Sequence, residues 1–389
     1  MSSLTDWADP RTGLYSSPEP GPGPWPLPGL VHRHRARVHL PDGPLTVAGA
    51  ALGDEVARAS CLGEAWERYG ASHPRPADLV ASPRSLLEAG RPHLTPHSLG
   101  GPAETDTAIE WLTATDTRLV PRPAAALLPH QPPPPGGPRR TGYPQGSTGL
   151  AAGQHLRQAI ENAAAEVVER DTVARAWRTR RLAPTLPDGV LEERLLRATR
   201  AAGLEMVVHL LPTAPGPEVA VVGLRDPGRG LLGVGASYRP HRRMAATKAW
   251  LEAVVSLAQA AELLDPTIGP ALCATAGLDP WRSDRRYAEP GWAHVADLSR
   301  HVQLLLDPEL AAAVWERLTG PALPAARARP DVGARSLLAD LFTDVVEVEL
   351  TPADLRAADG PVVVRVLAVG ASTVRPAGCT PEDLPCPLI

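Results

Sequence analysis

The sequence predicts an α+β fold, one domain in which mixed or antiparallel strand layers alternate with long helices. Three observations predict it. Apolar residues recur at helical spacing over long stretches, above all 153–180 and 242–264. Between those helices, the runs 205–211, 218–224 and 230–236 read as strands, and the Pro-Gly and Asp-Pro-Gly turns joining them predict an antiparallel meander. No linker separates two self-sufficient halves of the 389 residues, so the domain is expected over 31–389.

Each element has its own signal. Residues 1–30 are rich in Pro and Gly and read as an extended arm. Strand-like runs follow at 31–40 and 45–50. Asp54 suits a helix N-cap, and the helix is expected to reach residue 71 with Val56, Ala59, Leu62 or Gly63, and Trp66 along its apolar face. Runs 108–115 and 118–128 read as a strand pair. Residues 130–140, HQPPPPGGPRR, form a stiff polar loop that is read as surface loop ahead of a lid. The central helix carries Ile160, Ala163, Val167 and Ala174 on its apolar stripe. A further helix, 191–202, is closed by Gly203. Helices at 307–319 and 335–342 and strands at 345–350 and 361–369 follow, and the chain closes on a Pro-x-Pro tail, 381–389.

Composition narrows the function. Hydrophobic residues are 43 % and charged residues 21 %, enough to bury a core, and the formal net charge is -4. Without a basic block, the chain does not read as a nucleic-acid binder. Lys248 is the single lysine beside 45 Pro and one Phe, a pattern that reflects codon bias rather than function. Cys61, Cys273, Cys379 and Cys386 form no C-x-x-C pair, so neither a disulfide framework nor a zinc site is indicated. The N-terminus has no secretory pattern and no apolar run is long enough to span a bilayer. A cytoplasmic protein is expected.

The chemistry concentrates in two blocks. One is Ser60-Cys-Leu-Gly-Glu64-Ala-Trp-Glu67-Arg68. The other runs from Ser147 through a Gly-rich entry into an Ala-rich helix ending Glu166-Val-Val-Glu169-Arg170. Each Glu-x-x-Glu pair shares a helix face. One such unit alone is an ordinary solvated face with local ion pairs. Two, in helices otherwise filled with small side chains, can set four carboxylates around one point, and packed carboxylates need a cation. Mg²⁺ suits oxygen ligands and fills its remaining positions with phosphate oxygens, while the arginines can meet phosphate or clamp the carboxylates. Gly149 and Gly153 allow close backbone approach beside a helix N-terminus. The stretch Gly228-x-Gly230-x-x-Gly233 runs into a strand, so it reads as a hairpin turn rather than a dinucleotide fingerprint.

Asp9-Pro-Arg-Thr-Gly13, the two Glu-x-x-Glu-Arg blocks and the helix 245–256 with Ala249 and Glu252 together resemble the YcaO-domain family, over nearly the whole chain. The resemblance implies ATP-dependent activation of a peptide backbone amide. A Cys, Ser or Thr side chain attacks the preceding carbonyl, the hemiorthoamide oxygen is phosphorylated, and loss of phosphate leaves an azoline. Carried onto this sequence, the resemblance makes Glu64, Glu67, Glu166 and Glu169 the ligands of Mg²⁺. It places Ser60, Arg68, Gln154 and Arg170 at nucleotide-contacting positions, with Gln158 where a Glu is common. It gives the tail Pro385, Pro387 and Ile389 an active-site role, with Ile389 standing where cyclodehydratases of the family usually end in Pro. Gly49-Ala50-Ala51 replaces a common Gly-Lys-Gly, and Val255 a common Gln. The implied substrate is a ribosomally made precursor peptide, and the implied partner a separate leader-recognising or E1-like protein. A homodimer is left open, and no membrane or nucleic-acid partner is expected. Two alternatives stay beside azoline formation: amidine or thioamide formation by the same activation, and a non-catalytic scaffold that binds precursor or partner.

Overall fold

A computed structural model describes residues 14–41, 43–103, 106–127, 143, 146–213, 216–275, 278–287, 303–320, 331–372, 384 and 386–388. The 130–140 loop, Asp9–Gly13, Cys379, Pro385 and Ile389 lie outside the described residues.

In chain order the strands are β1 (Glu19–Gly21), β2 (His32–Leu40), β3 (Gly43–Ala51), β4 (Leu79–Ala81), β5 (Ile109–Thr113), β6 (Leu119–Pro121), β7 (Leu150–Gly153), β8 (Pro184–Thr185), β9 (Glu205–Leu211), β10 (Val219–Asp226), β11 (Leu231–Tyr238), β12 (Val345–Glu349) and β13 (Val362–Ala368). The helices are α1 (Asp54–Ser72), α2 (Pro83–Glu88), α3 (Arg122–Ala125), α4 (Leu156–Arg178), α5 (Glu193–Ala201), α6 (Arg242–Leu264), α7 (Gly269–Thr275), α8 (Pro308–Leu318), α9 (Ala334–Leu341) and α10 (Ala353–Ala357). Every strand ladder among the described residues is antiparallel. This is the α+β architecture the sequence predicts.

The chain divides into two compact units, and the division falls within α4, after Val167. Unit 1 comprises residues 1–21, 33–167 and 333–371; unit 2 comprises 22–32, 168–332 and 372–389. Each draws on three separate stretches, so no single cut releases either, and no linker is there for the sequence to reveal.

Unit 1 holds three three-stranded sheets, ordered β1-β2-β3, β4-β5-β6 and β12-β13-β7. Two places decide where its functional side chains stand. At Gly49 of β3, an added Cβ would lie 2.1 Å from the Cys61 backbone nitrogen, so only glycine lets this strand rest directly on α1. At Gly70 of α1, an added Cβ would lie 2.6 Å from Val363 Cγ2, which seats α1 on β13. The arm's described part is not loose, because Tyr15 is buried and bridges to Val38.

The structure shifts some sequence expectations. Gly53, not Asp54, is the N-cap of α1, and no side chain caps it; Asp54 instead meets His34 Nε2 at 2.9 Å. The α1 core face is Ala57, Cys61, Leu62, Ala65 and Trp66, while Val56 is 65 % exposed. Leu62 and Trp66 lie on the core face as expected, whereas Val56 and Ala59 are exposed and Ala57 and Cys61 take their places. Residues 150–153, expected within the turn and helix start, form β7; their Gly-Ala composition hid a strand whose stabilisation comes from β13. The second strand of the 108–128 pair stops at Pro121 and turns into α3, because Pro123 has no N–H for a ladder but suits a helix's first turn.

Unit 2 is built on the four-stranded sheet β11-β10-β9-β8, with α6 lying along β11 and β10. Gly233 and Gly235 make that approach possible: an added Cβ at Gly235 would sit 2.3 Å from the Ala249 carbonyl oxygen. The Gly228–Gly233 stretch is the expected hairpin turn, with Gly230 at φ +61° where β11 begins. Among the described residues no helix is long and apolar enough to cross a membrane.

Candidate active site

In unit 1, α1 presents Glu64, Glu67 and Arg68, and α4 presents Glu166. Strand β3 lies on α1 at Gly49, and this brings the Ala48 backbone N–H to Glu64 Oε2 at 3.1 Å. On the other side the Gly149 backbone N–H donates to Glu166 Oε2 at 3.0 Å. The Arg68 guanidinium stands 3.5 Å from Glu64 Oε1 and 3.6 Å from Glu67 Oε1. Each outer carboxylate is thus tied to one backbone amide, and Arg68 links the two on α1.

Electrostatics sets Glu67 apart. Burial raises its pKa most, the carboxylates of Glu166 and Glu64 raise it further, and Arg68 and Arg365 pull it down; the balance lies at about 8. Arg68 is destabilised as a cation by burial, yet Glu67, Glu64 and Glu166 outweigh this and hold its pKa above the usual arginine value. Three carboxylates contributed by two helices therefore act on one another across a poorly solvated space.

Arg365, in the middle of β13, faces the same group and was not singled out from the sequence. Burial lowers its pKa, Glu166 and Glu67 raise it and Arg68 lowers it again, leaving it at about 10. A signal for it existed: Val362-Val-Val-Arg365-Val-Leu367 places one charge inside an otherwise apolar strand, and a buried charge needs a partner.

Ser60 is exposed on α1, one turn before Glu64. Gln154 and Gln158 are exposed where β7 passes into α4, and the Gln154 backbone N–H donates to Gln158 Oε1 at 2.9 Å. Cys61 is buried, and burial and then Glu64 raise its thiol to about 11 against a lowering backbone hydrogen bond, which disfavours the thiolate.

Glu169 and Arg170 belong to unit 2. Glu169 is 7 % exposed, accepts the Tyr238 backbone N–H at 3.3 Å, and lies 3.5 Å from Arg170 Nε. The tail is held in the same unit by the last turns of α4. Asp171 accepts the Ser372 backbone N–H at 2.6 Å, and the Trp177 indole N–H donates to the Leu384 carbonyl at 2.8 Å. Arg317 stacks over the Trp177 ring at 4.1 Å. Pro387 and Leu388 are buried.

The donor set of unit 1 fits a divalent cation in chemistry and charge. It offers hard carboxylate oxygens, and a carboxyl pushed to about 8 is one that a bound cation would favour as the anion. As the side chains stand, no three His, Cys, Asp or Glu among the described residues converge into a ready-made ligand cage.

Comparisons with known proteins bear on the fold and the family. The chain matches a heterocyclase described in complex with substrate and cofactor, at TM-score 0.68 and 20 % identity, over 98 % of this chain and 53 % of that one. It thus spans about half the length of that heterocyclase chain. It matches YcaO from Methanopyrus kandleri, described as bound with AMPPCP and Mg²⁺, at TM-score 0.57 and 20 % identity, covering 93 % of this chain and 87 % of that one. It also matches a chain of the E. coli microcin synthetase McbBCD complex with pro-MccB17 bound, at TM-score 0.57 and 13 % identity, covering 92 % and 93 %. At these identities the likeness is one of fold. No curated protein matches the chain in sequence. The family model described as YcaO cyclodehydratase, ATP- and Mg²⁺-binding, matches residues 48–372, from Ala48, which holds Glu64, to Ser372, which Asp171 anchors. The chain belongs to the YcaO family, whose cofactors are ATP and Mg²⁺.

Proposed function

We propose that the chain uses ATP to activate backbone amides of a ribosomally made precursor peptide, closing Cys, Ser or Thr side chains onto the preceding carbonyl as thiazoline or oxazoline. The observation that carries this reading is the gathering of Glu64, Glu67 and Glu166 from two helices of a YcaO-family chain, the outer two each tied to a backbone amide. Such a group is matched to a divalent cation bearing phosphate.

In this reading Glu64, Glu67, Glu166 and Glu169 hold Mg²⁺, while Ser60, Arg68, Gln154, Gln158 and Arg170 contact the nucleotide. Bound ATP supplies the phosphoryl group that turns the former amide oxygen into a leaving group. The chain's own task is positioning and charge neutralisation, which carry most of the catalysis in phosphoryl transfer. The Ala48 and Gly149 amides hold one oxygen each of Glu64 and Glu166 in place. Pro385, Pro387 and Ile389 take the active-site role that the family resemblance implies for the tail.

Two of the structural relatives support a peptide substrate and a multiprotein setting: one is described with its substrate, the other as a complex with pro-MccB17 bound. A separate leader-recognising or E1-like protein is the partner in this reading.

Calorimetric titration of ATP with Mg²⁺, into the wild-type chain and into Glu64→Gln, tests the nucleotide site. Magnesium-dependent binding that the variant loses is expected. No binding, even with the partner protein present, would refute it. Incubation with precursor and partner then tests the product: azoline formation removes one water per ring, whereas thioamide formation exchanges oxygen for sulfur.

A further inference from the structure

Arg365 is 7 % exposed, yet its Nε and Nη1 have no hydrogen-bond partner among the described residues. Leaving such donors unpaired is costly, and an apolar side chain in that strand would avoid the cost. Its neighbours, Val363, Val364 and Val366, are fully buried aliphatics that show what the strand would otherwise hold. The arginine must therefore be offset by something nearby.

The backbone shows what that is. Gly70 of α1 rests on Val363 of β13. One helical turn before Gly70 on the same face is Glu67, and two residues after Val363 on the same strand face is Arg365. Across the ladder Arg365 pairs with Leu150, the residue after Gly149, and the Val366 N–H donates to the Gly149 carbonyl at 2.7 Å. Gly149 in turn donates to Glu166 at 3.0 Å. Two independent chains of contact, one through α1 and one through β7, thus lead from Arg365 to the two carboxylates.

We propose that Arg365 is a positioning residue, a fixed internal countercharge that keeps Glu67 of α1 and Glu166 of α4 packed near one another. It compensates their charge through space without hydrogen-bonding to them, so it does not occupy the oxygens a cation requires. A lysine or arginine that bonded directly to the carboxylates would compete with the metal. This inference rests on the Mg²⁺-ATP reading of the site, and its test separates the two.

The test is thermal melting without metal or nucleotide, for wild type, Arg365→Met, and Arg365→Met combined with Glu166→Gln. Met keeps much of the side chain's length and removes its charge. The single variant should melt about 5 °C or more below wild type, the scale for stranding buried charges in a unit of this size. The double variant should regain most of the loss, because removing Glu166's charge removes the imbalance. If the double variant melts no higher than the single one, the role is packing and the proposal is overturned. Should Arg365→Met alone fail to fold, a folded double variant still supports it and an unfolded one refutes it. A second readout is Mg²⁺-dependent ATP binding by Arg365→Lys, expected within a few-fold of wild type, against a loss of tenfold or more in Arg365→Met. Equal affinity for the Met variant and wild type would also overturn the proposal. If wild type binds no Mg²⁺-ATP, the functional reading fails on its own, while the melting comparison still decides Arg365.

Discussion

The Gly149 backbone N–H and the Glu166 carboxylate meet at 3.0 Å, and only glycine permits it. Gly149 has φ +79°, and a Cβ there would stand 2.2 Å from the Val366 carbonyl oxygen and 2.9 Å from Val167 Cγ2. Gly149→Ala should therefore cost about 2 kcal/mol or more in stability, combining left-handed strain with the clash. It should also weaken Mg²⁺-ATP binding, because Glu166 loses its tether. Thermal melting and calorimetry check both, and a variant that melts like wild type would show the contact to be slack.

Glu166→Gln isolates charge from geometry. Glutamine retains an oxygen to accept the Gly149 N–H but cannot neutralise a cation. ATP turnover, assayed with partner and precursor, should be abolished while circular dichroism stays native. Normal turnover would remove Glu166 from the metal site.

The pH dependence of metal-free stability should carry the mark of Glu67. Its folded pKa of about 8 lies above the ordinary value of 4.5, so between those values the folded state holds a proton that the unfolded state has lost. Its contribution is fully present below 4.5, declines as pH rises, and is gone above about 8. Chemical denaturation across that window should show stability falling toward alkaline pH, and the slope should flatten in Glu67→Gln. The same group predicts that Mg²⁺ binding near neutral pH releases about one proton, visible as a binding enthalpy that varies with the buffer's ionisation heat.

Trp177→Phe should loosen the tail while leaving α4 intact. Phenylalanine keeps a ring under Arg317 but cannot donate to the Leu384 carbonyl. Cys386, a partly exposed cysteine two residues further on, reports the change. Its alkylation should accelerate several-fold; an unchanged rate would show that the tail is held without the indole.

Much of this molecule was legible in its sequence, for physical reasons. Helix α6 begins and ends where the apolar period does, and the meander β9–β11 follows its Pro-Gly turns. Glu64, Glu67 and Glu166 stand out in the sequence as paired carboxylates in small-residue helices, and the structure brings them close enough to act on one another. Strand β7 was missed because Leu-Ala-Ala-Gly has no β preference of its own; β13, far along the chain, makes it a strand. Arg365 was missed for a related reason. The sequence shows a charge among valines but not which carboxylates lie over it, since that depends on α1 settling at Gly70. Where local pattern and tertiary contact agree, the reading holds; where a segment takes its identity from a distant partner, it does not.

That distant pairing shapes how the protein comes into being. Leu150 and Arg365 stand opposite one another in one ladder, yet the chain makes most of unit 2 between them. During synthesis α1 and β7 leave the ribosome long before β13 does, so Glu64, Glu67 and Glu166 exist for a time as like charges without Arg365 beside them. Folding that depends on such remote contacts is slow. A chain interrupted before β13 should therefore carry every proposed metal ligand and still have no site. β13 thus acts as a completion check on unit 1, because the carboxylates gain their countercharge only once that strand has been made.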